Sequence, residues 1–140
     1  MILPPNSIVA SGPVIVRTMD GKLKTLLNRH KPTAEKPDPK WQFCGGKVED
    51  FDASLETAAR REAREEMGID IRIIRPLSPM MVKRTDGSMV ILIHYLADYD
   101  GDVHIGEEIA EYGWFALDEL PENTASNVKP LLTEALTRRQ

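Results

Sequence analysis

Residues Gly45 to Ile69 read GGKVEDFDASLETAARREAREEMGI, and their reading decides the fold. A double glycine opens the stretch, an acidic loop follows, and a helical segment ends in Arg61-Glu62-Ala63-Arg64-Glu65-Glu66-Met67-Gly68. Asp52 or Ser54 can cap the helix at its start, and Gly68 stops it just beyond Met67. At roughly 100° per residue, Leu55, Ala58, Ala59 and Glu66 fall on the side of Glu62, with Glu65 about 60° to the other side. A stripe that begins apolar thus turns acidic, while Arg60 and Arg64 point to solvent. The acids crowd the C-terminal end of the helix, where the backbone dipole disfavours negative charge. A solvated face stitched by Glu–Arg pairs, such as Glu56 with Arg60, is one reading. The other is a site where a cation offsets the acids. The second gains weight because the acids continue the buried stripe. Hard oxygen donors suit Mg2+ or Mn2+ and not zinc, and Mg2+ is commonly shared between carboxylates and substrate phosphates.

Outward from this helix the chain alternates strands and turns. Ser7–Arg17 is β-rich, and Asp20-Gly21 reads as a hairpin turn into Lys22–Asn28. Arg29–Lys40 carries three prolines and mixed charge, so it reads as a loop, either a lid or a plain solvated connection. Trp41-Gln42-Phe43 reads as a short strand entering the glycine turn. Beyond the helix, Ile69–Arg75 alternates as a strand. Met80–Arg84 and Ser88–Tyr99 flank a second turn, Asp86-Gly87, and Asp100-Gly101-Asp102 makes a third. Tyr112–Leu117 is a last strand. Asn127–Arg139 is an amphipathic helix with Val128, Leu131, Leu132 and Leu136 on its apolar face. Strands, helix, strands, helix predict an α/β/α sandwich with a mixed sheet between helices.

The 140 residues suit one domain spanning 1–140, with 41% hydrophobic content enough for a core. No apolar run approaches the ~20 residues of a membrane helix. MILPPNSIVASGPVIV lacks the basic start of a signal peptide, so the expected compartment is cytoplasmic. One cysteine, Cys44, excludes an internal disulfide and a Cys-rich zinc site. The net charge of −4 argues against a broad face for a nucleic-acid polymer. It leaves room for a small phosphorylated ligand, because bound metal inverts the local field.

Gly46 followed by Arg61-Glu62-Ala63-Arg64-Glu65-Glu66-Met67-Gly68-Ile69 resembles the Nudix box. Trp41-Gln42-Phe43-Cys44-Gly45-Gly46 is similar to the family's entry to that box, and Tyr112-Gly113-Trp114-Phe115 with the helix after it to its closing elements. The stretch from Gly46 to Arg61 is one residue longer than the family spacing. The box's first glutamate therefore has no direct equivalent, Asp52 being the closest acid. Cys44 stands where proline is common, as a packed small side chain or as a reactive thiol.

The resemblance implies a metal-dependent hydrolase of a nucleoside diphosphate linked to another moiety. It makes Glu62, Glu65 and Glu66 metal ligands for Mg2+ or Mn2+, with Glu65 also in the catalytic set. Arg61 would orient the carboxylates. Gly45, Gly46, Lys47 and Arg84 are candidate substrate contacts, and Glu108 and Glu111 candidate bases, with solvated loop acids the plain alternative. The stretch after the box lacks the proline and tyrosine marks of ADP-ribose and dinucleoside polyphosphate enzymes, which favours a nucleoside triphosphate or a nucleotide sugar. The alternatives are an ADP-ribose or dinucleotide pyrophosphatase, a non-catalytic nucleotide-sensing Nudix domain, and an isoprenoid diphosphate isomerase using Cys44. A homodimer through the N-terminal strand region is a further expectation from the family.

Overall fold

The computed structural model describes residues 2–137. Its elements are β1 (Ile8–Met19), β2 (Lys22–His30), β3 (Gly46–Lys47), α1 (Leu55–Met67), β4 (Ile71–Pro76), β5 (Met80–Lys83), β6 (Met89–Tyr99), β7 (Ile109–Ala116) and α2 (Val128–Thr137), with a 3-10 turn at Leu117–Glu119. The main sheet path is β4-β6-β1-β2-β7, with β3 beside β1 and β5 beside β6. β1 runs parallel to β6, and the other pairings are antiparallel. The expected mixed sheet between helices is the observed architecture.

Alternation along β1 divides the core. Ile15 faces the α1 side with Ala59, Ala63, Met67, Tyr95 and Ala97. Val14 faces the α2 side with Leu27, Phe43, Val128, Leu131 and Leu132. Successive strand residues point to opposite faces, so one strand serves both layers.

The pairing of β1 explains where the glycine turn sits. Its second half pairs with β2, from Val16 opposite Thr25 to Met19 opposite Lys22. Its first half pairs with β6 on one side, and Ala10 and Ser11 meet Lys47 and Gly46 on the other. β2 therefore diverges from β1, and Asn28 bridges Gln42 instead. The chain from Gln42 to Lys47 fills the resulting wedge, which brings Gly45-Gly46 beside α1.

Helix α1 starts at Ser54, whose side chain accepts from the Thr57 N–H at 3.0 Å. Of the two caps offered by the sequence, Ser54 is used. Gly68 closes the helix at φ 64°, a left-handed conformation that other residues enter at a cost. Ala58, Ala59 and Ala63 are fully buried, so the helix lies close to the sheet.

Some expectations shift. Leu55 is 38% exposed, so the buried stripe begins at Ala58. Trp41-Gln42-Phe43 makes only isolated bridges, because Trp41 pairs with Thr124 and Gln42 with Asn28, two different neighbours. β2 runs on to His30, opposite Ile109, so the last strand starts before Tyr112. The final helix is described to Thr137, and its expected extension to Arg139 lies outside the described residues.

His94 is the odd residue in the apolar run of β6. It is 5% exposed, its ring lies 5.6 Å from that of Phe43, and its Nδ1 has no hydrogen-bond partner among the described residues. Burial pushes its pKa down to about 4. The unfolded chain takes up this proton near pH 6.5, the folded chain only near 4, so stability is full above 6.5 and falls as pH drops between the two. The linked loss is about 3 kcal/mol. We expect His94→Gln to flatten the unfolding free energy across that window, measured by urea titration at several pH values. An unchanged pH dependence would show that His94 titrates normally.

Candidate active site

The last two turns of α1 present Arg61, Glu62, Glu65 and Glu66. Glu62 and Glu66 are only 8% and 6% exposed, although both are ionisable. Burying a carboxylate costs free energy unless partners compensate. Glu66 has three such partners. Its Oε1 accepts from the Gly45 N–H at 3.1 Å and from Asn28 Nδ2 at 3.2 Å. Its Oε2 lies 3.2 Å from His30 Nε2, within ion-pair reach but without a well-formed hydrogen bond. The Glu66 carboxylate beside it raises the His30 pKa above its ordinary value, against the effect of burial.

Glu62 packs against the other glycine. A Cβ placed on Gly46 would lie 2.7 Å from the Glu62 carboxyl carbon. Its Oε1 accepts from Arg61 Nη1 at 2.9 Å. Burial and the nearby Glu66 push the Glu62 pKa up to about 7, with Arg61 opposing. Burial and the neighbouring Glu66 thus disfavour the charged form of Glu62, and Arg61 offsets this only in part. Glu65 is different: its side chain is 58% exposed and touches Arg61 Nη1 at 3.3 Å.

Arg61 ties the site together. Its Nε and Nη2 donate to Asp52 at 2.9 and 2.8 Å, and Nη2 also donates to the Lys47 carbonyl at 3.0 Å. Asp52 in turn accepts from the Glu49 N–H at 2.8 Å. Its side chain is 1% exposed, and these bonds, Arg61 first, hold its carboxyl below the usual range. Asp52, the acid closest to the position in question, is thus the partner of Arg61. The additional length loops outward, leaving Phe51 70% exposed with its ring 5.2 Å from the Arg61 guanidinium. We expect Asp52→Asn to lower activity by about 10- to 100-fold, as for other partners that orient ligand side chains. Steady-state kinetics with a check of the melting temperature tests this; full activity would leave Asp52 a local structural residue only.

Among the described residues no three His, Cys, Asp or Glu side chains form a ready cage for a metal. The donors still fit Mg2+ or Mn2+. These ions keep waters and take substrate phosphate oxygens, so one or two protein carboxylates suffice. Carboxylate oxygens held against a backbone turn, with one pKa raised by burial and a neighbouring carboxylate, are what such an ion relieves.

A cleft of about 280 Å³ opens beside Gly45 and Gly46 on the α2 face of the sheet. Ala10, Leu92 and Phe43 line its apolar part, and Lys36, Lys47 and Asn127 its polar part. Of the candidate substrate contacts, Gly45, Gly46 and Lys47 meet here. Arg84 does not line it and hydrogen-bonds the Asn6 carbonyl at 3.4 Å. The loop before β7 is pinned to the end of α1, with His104 and Gly106 N–H groups bonded to the Met67 and Glu66 carbonyls. Glu108 lies close enough to raise the His30 pKa. Glu111 belongs to β7 and pairs with Arg29 at 2.9 Å, and neither it nor Glu108 lines the cleft. Trp41 packs edge-on to Phe115, and Phe43 is buried, so neither is a free stacking platform. Cys44 is 4% exposed, and burial with the nearby Glu66 and Glu62 pushes its thiol pKa up. It is the packed side chain of the two options.

Sequence reasoning missed Asn28 and His30. The signal for Asn28 was a single amide closing the apolar run Leu26-Leu27, where it is fully buried. His30 stood in what read as loop.

A two-helix sandwich with buried helix carboxylates against a double-glycine turn defines the class of Nudix pyrophosphohydrolases. The NUDIX domain model matches residues 9–135, and the chain belongs to this family. It is 34% identical over 110 residues to the NAD-capped RNA hydrolase NudC of Mycobacterium bovis, which covers 76% of this chain but 33% of that protein. The chain therefore spans about a third of the length of these curated relatives. The MutT NUDIX hydrolase of Burkholderia pseudomallei superposes with a TM-score of 0.77 at 30% identity, over 92% of this chain and 98% of that one. The MutT protein of Methanosarcina mazei Go1 gives 0.79 at 26% identity, over 96% of each.

Proposed function

We propose that this protein hydrolyses the diphosphate linkage of a nucleoside diphosphate derivative with a divalent cation, Mg2+ or Mn2+. One observation carries the reading: Glu62 and Glu66 are buried against the Gly45-Gly46 turn, and the same two glycines line a cleft. Glu62, Glu66 and the more exposed Glu65 are the residues that would hold the cation. Bound there, it supplies Lewis-acid polarisation of the phosphoryl oxygens.

The chain's own groups do the rest. Gly45 and Gly46 let the diphosphate approach the backbone, since no side chain intervenes. Arg61 holds Glu62 and Glu65 in place from its anchorage on Asp52. Lys47 lies on the cleft wall to meet a phosphate oxygen. Glu108 is the better placed of the two candidate bases, because Glu111 is occupied by Arg29. The apolar part of the cleft excludes water from one end of the ligand.

The second reading narrows the substrate to a dinucleotide or ADP-ribose. The name of the relatives at 34% identity, NAD-capped RNA hydrolase, favours it. The compartment proposed with either reading is the cytoplasm, where such nucleotides are available. Among the described residues no helix is long and apolar enough to cross a membrane.

The test is a substrate panel with Mg2+ and Mn2+: nucleoside triphosphates, ADP-ribose, nucleotide sugars, diadenosine polyphosphates, NADH and NAD-capped RNA. Turnover releasing a nucleoside monophosphate is expected for at least one. No turnover of any would leave a nucleotide-sensing domain as the better reading.

A further inference from the structure

A second cavity, of about 480 Å³, adjoins the cleft. His30, Lys36 and Gln42 line both, so the two spaces share a wall. Lys31 and Lys40 line the second cavity alone, on the segment that follows β2. Three lysines around one cavity are out of character for a chain of net charge −4. None of the three has an ion-pair partner among the described residues. Asp38, an acid in the same lining, accepts from Asn123 Nδ2 at 3.2 Å.

The cavity is built, though its wall is a proline-rich loop. The Lys31 N–H donates to the Glu108 carbonyl at 2.8 Å, and the Thr33 N–H to the Lys36 carbonyl at 2.9 Å. At the far end Trp41 N–H donates to the Asn123 carbonyl at 2.8 Å, and Asn28 and Gln42 exchange two bonds at 2.9 Å. The loop backbone is thus tied to the rest of the fold at its start and end, with a closed turn from Thr33 to Lys36 between, so Lys31 and Lys40 rise from anchored backbone. Unpaired like charges held around a concave space raise the local concentration of anions. The volume is within the range of small-molecule sites.

We propose that this cavity binds a further phosphate group of the substrate, one lying beyond the diphosphate that is cleaved. The inference rests on the hydrolase reading and deepens it. It favours substrates with more phosphate than a plain nucleoside diphosphate derivative. Two sources carry that chemistry: a phosphate on a ribose, or a longer polyphosphate chain.

The experiment compares matched pairs at constant ionic strength. NADP+ against NAD+ tests a ribose phosphate, and diadenosine tetraphosphate against the triphosphate tests a longer chain. Each pair is measured with the unaltered chain and with Lys31→Ala/Lys40→Ala, which leaves Lys36 and the cleft untouched. Circular dichroism and the melting temperature check that the variant folds. For at least one pair, the member richer in phosphate should have the higher kcat/KM. The variant should lose about 10-fold on it, mostly through KM, since removing a charged hydrogen-bond donor weakens binding. The poorer member should change less than about twofold, as exposed lysines alone contribute little.

The pair that responds identifies the source. No preference in either pair, or one that survives in the variant, overturns the proposal. Calorimetric binding of the same four compounds separates the two readings. If none is hydrolysed but the phosphate-rich member binds more tightly, and only to the unaltered chain, the cavity assignment stands while the hydrolase reading fails. Equal binding of both members to both proteins removes the cavity assignment also.

Discussion

Glu66→Gln is expected to leave the protein folded and to lower kcat by at least about 100-fold, the effect of deleting a metal ligand. The amide has the size of the carboxylate, so the packing against Asn28 and the Gly45 N–H survives. What goes is the negative charge. Glu66 is the most buried acid of the group and faces two neutral donors and His30. Those donors compensate burial, yet none balances the charge of Glu62 beside it. A cation shared by both would. The second readout is thermal. Mg2+ should raise the melting temperature of the unaltered protein by binding the folded state, and should do so far less in the variant. Glu65→Gln should also cost about 100-fold, but with little effect on metal-free stability, because Glu65 is exposed. Unchanged kinetics in both variants would show that the metal site lies elsewhere.

Gly46→Ala should produce a loss of similar size by adding a single methyl group. The new Cβ would lie 2.7 Å from the Glu62 carboxyl carbon and Oε2, and 2.8 Å from Oε1. Real carbons do not sit that close, so something must move. The Gly46 backbone pairs with Ser11 on the long strand β1, which leaves the Glu62 side chain to give way. It must then leave Arg61, its partner at 2.9 Å. Displacing a group by about an ångström at a reacting centre costs on the order of 100-fold. Stability should fall less than kinetics suggest, because what moves is the far end of a flexible side chain and not backbone.

A double-mutant cycle with Glu62→Asp distinguishes this contact from general damage. The shorter acid clears the methyl group, so adding Gly46→Ala to Glu62→Asp should cost little more than Glu62→Asp alone. Independent losses that multiply would sink the steric account.

Much of this was legible in the sequence, for reasons that differ by residue. Helix α1 announces itself locally: a serine cap, small residues at the buried positions and a glycine stop. Glu62, Glu65 and Glu66 follow from helical spacing, which needs no tertiary information. Period-two alternation marked β4, while β1 and β6 showed in β-rich composition and flanking turns. The sandwich followed from the order of elements. The edges failed where a neighbour decides, as at Trp41 and Ile109, whose partners Thr124 and His30 are far away in sequence.

The site divides in the same way. Asp52 was ambiguous while only spacing counted, because a loop one residue longer has two solutions. The structure gives Asp52 the Arg61 fork as its partner, for a bidentate partner must lie in the plane of the guanidinium. Glu111 and Arg84 had the right composition but lie elsewhere, one held by Arg29 and the other near Asn6. The sequence by itself determined the helix, its three acids and the class of chemistry, because these depend on periodicity and charge along one element. Only the tertiary structure decided which acids are buried, that Asn28 and His30 meet Glu66, and that three lysines surround an adjoining cavity. Those facts depend on β2 diverging from β1, and no local pattern encodes where a wedge between two strands opens.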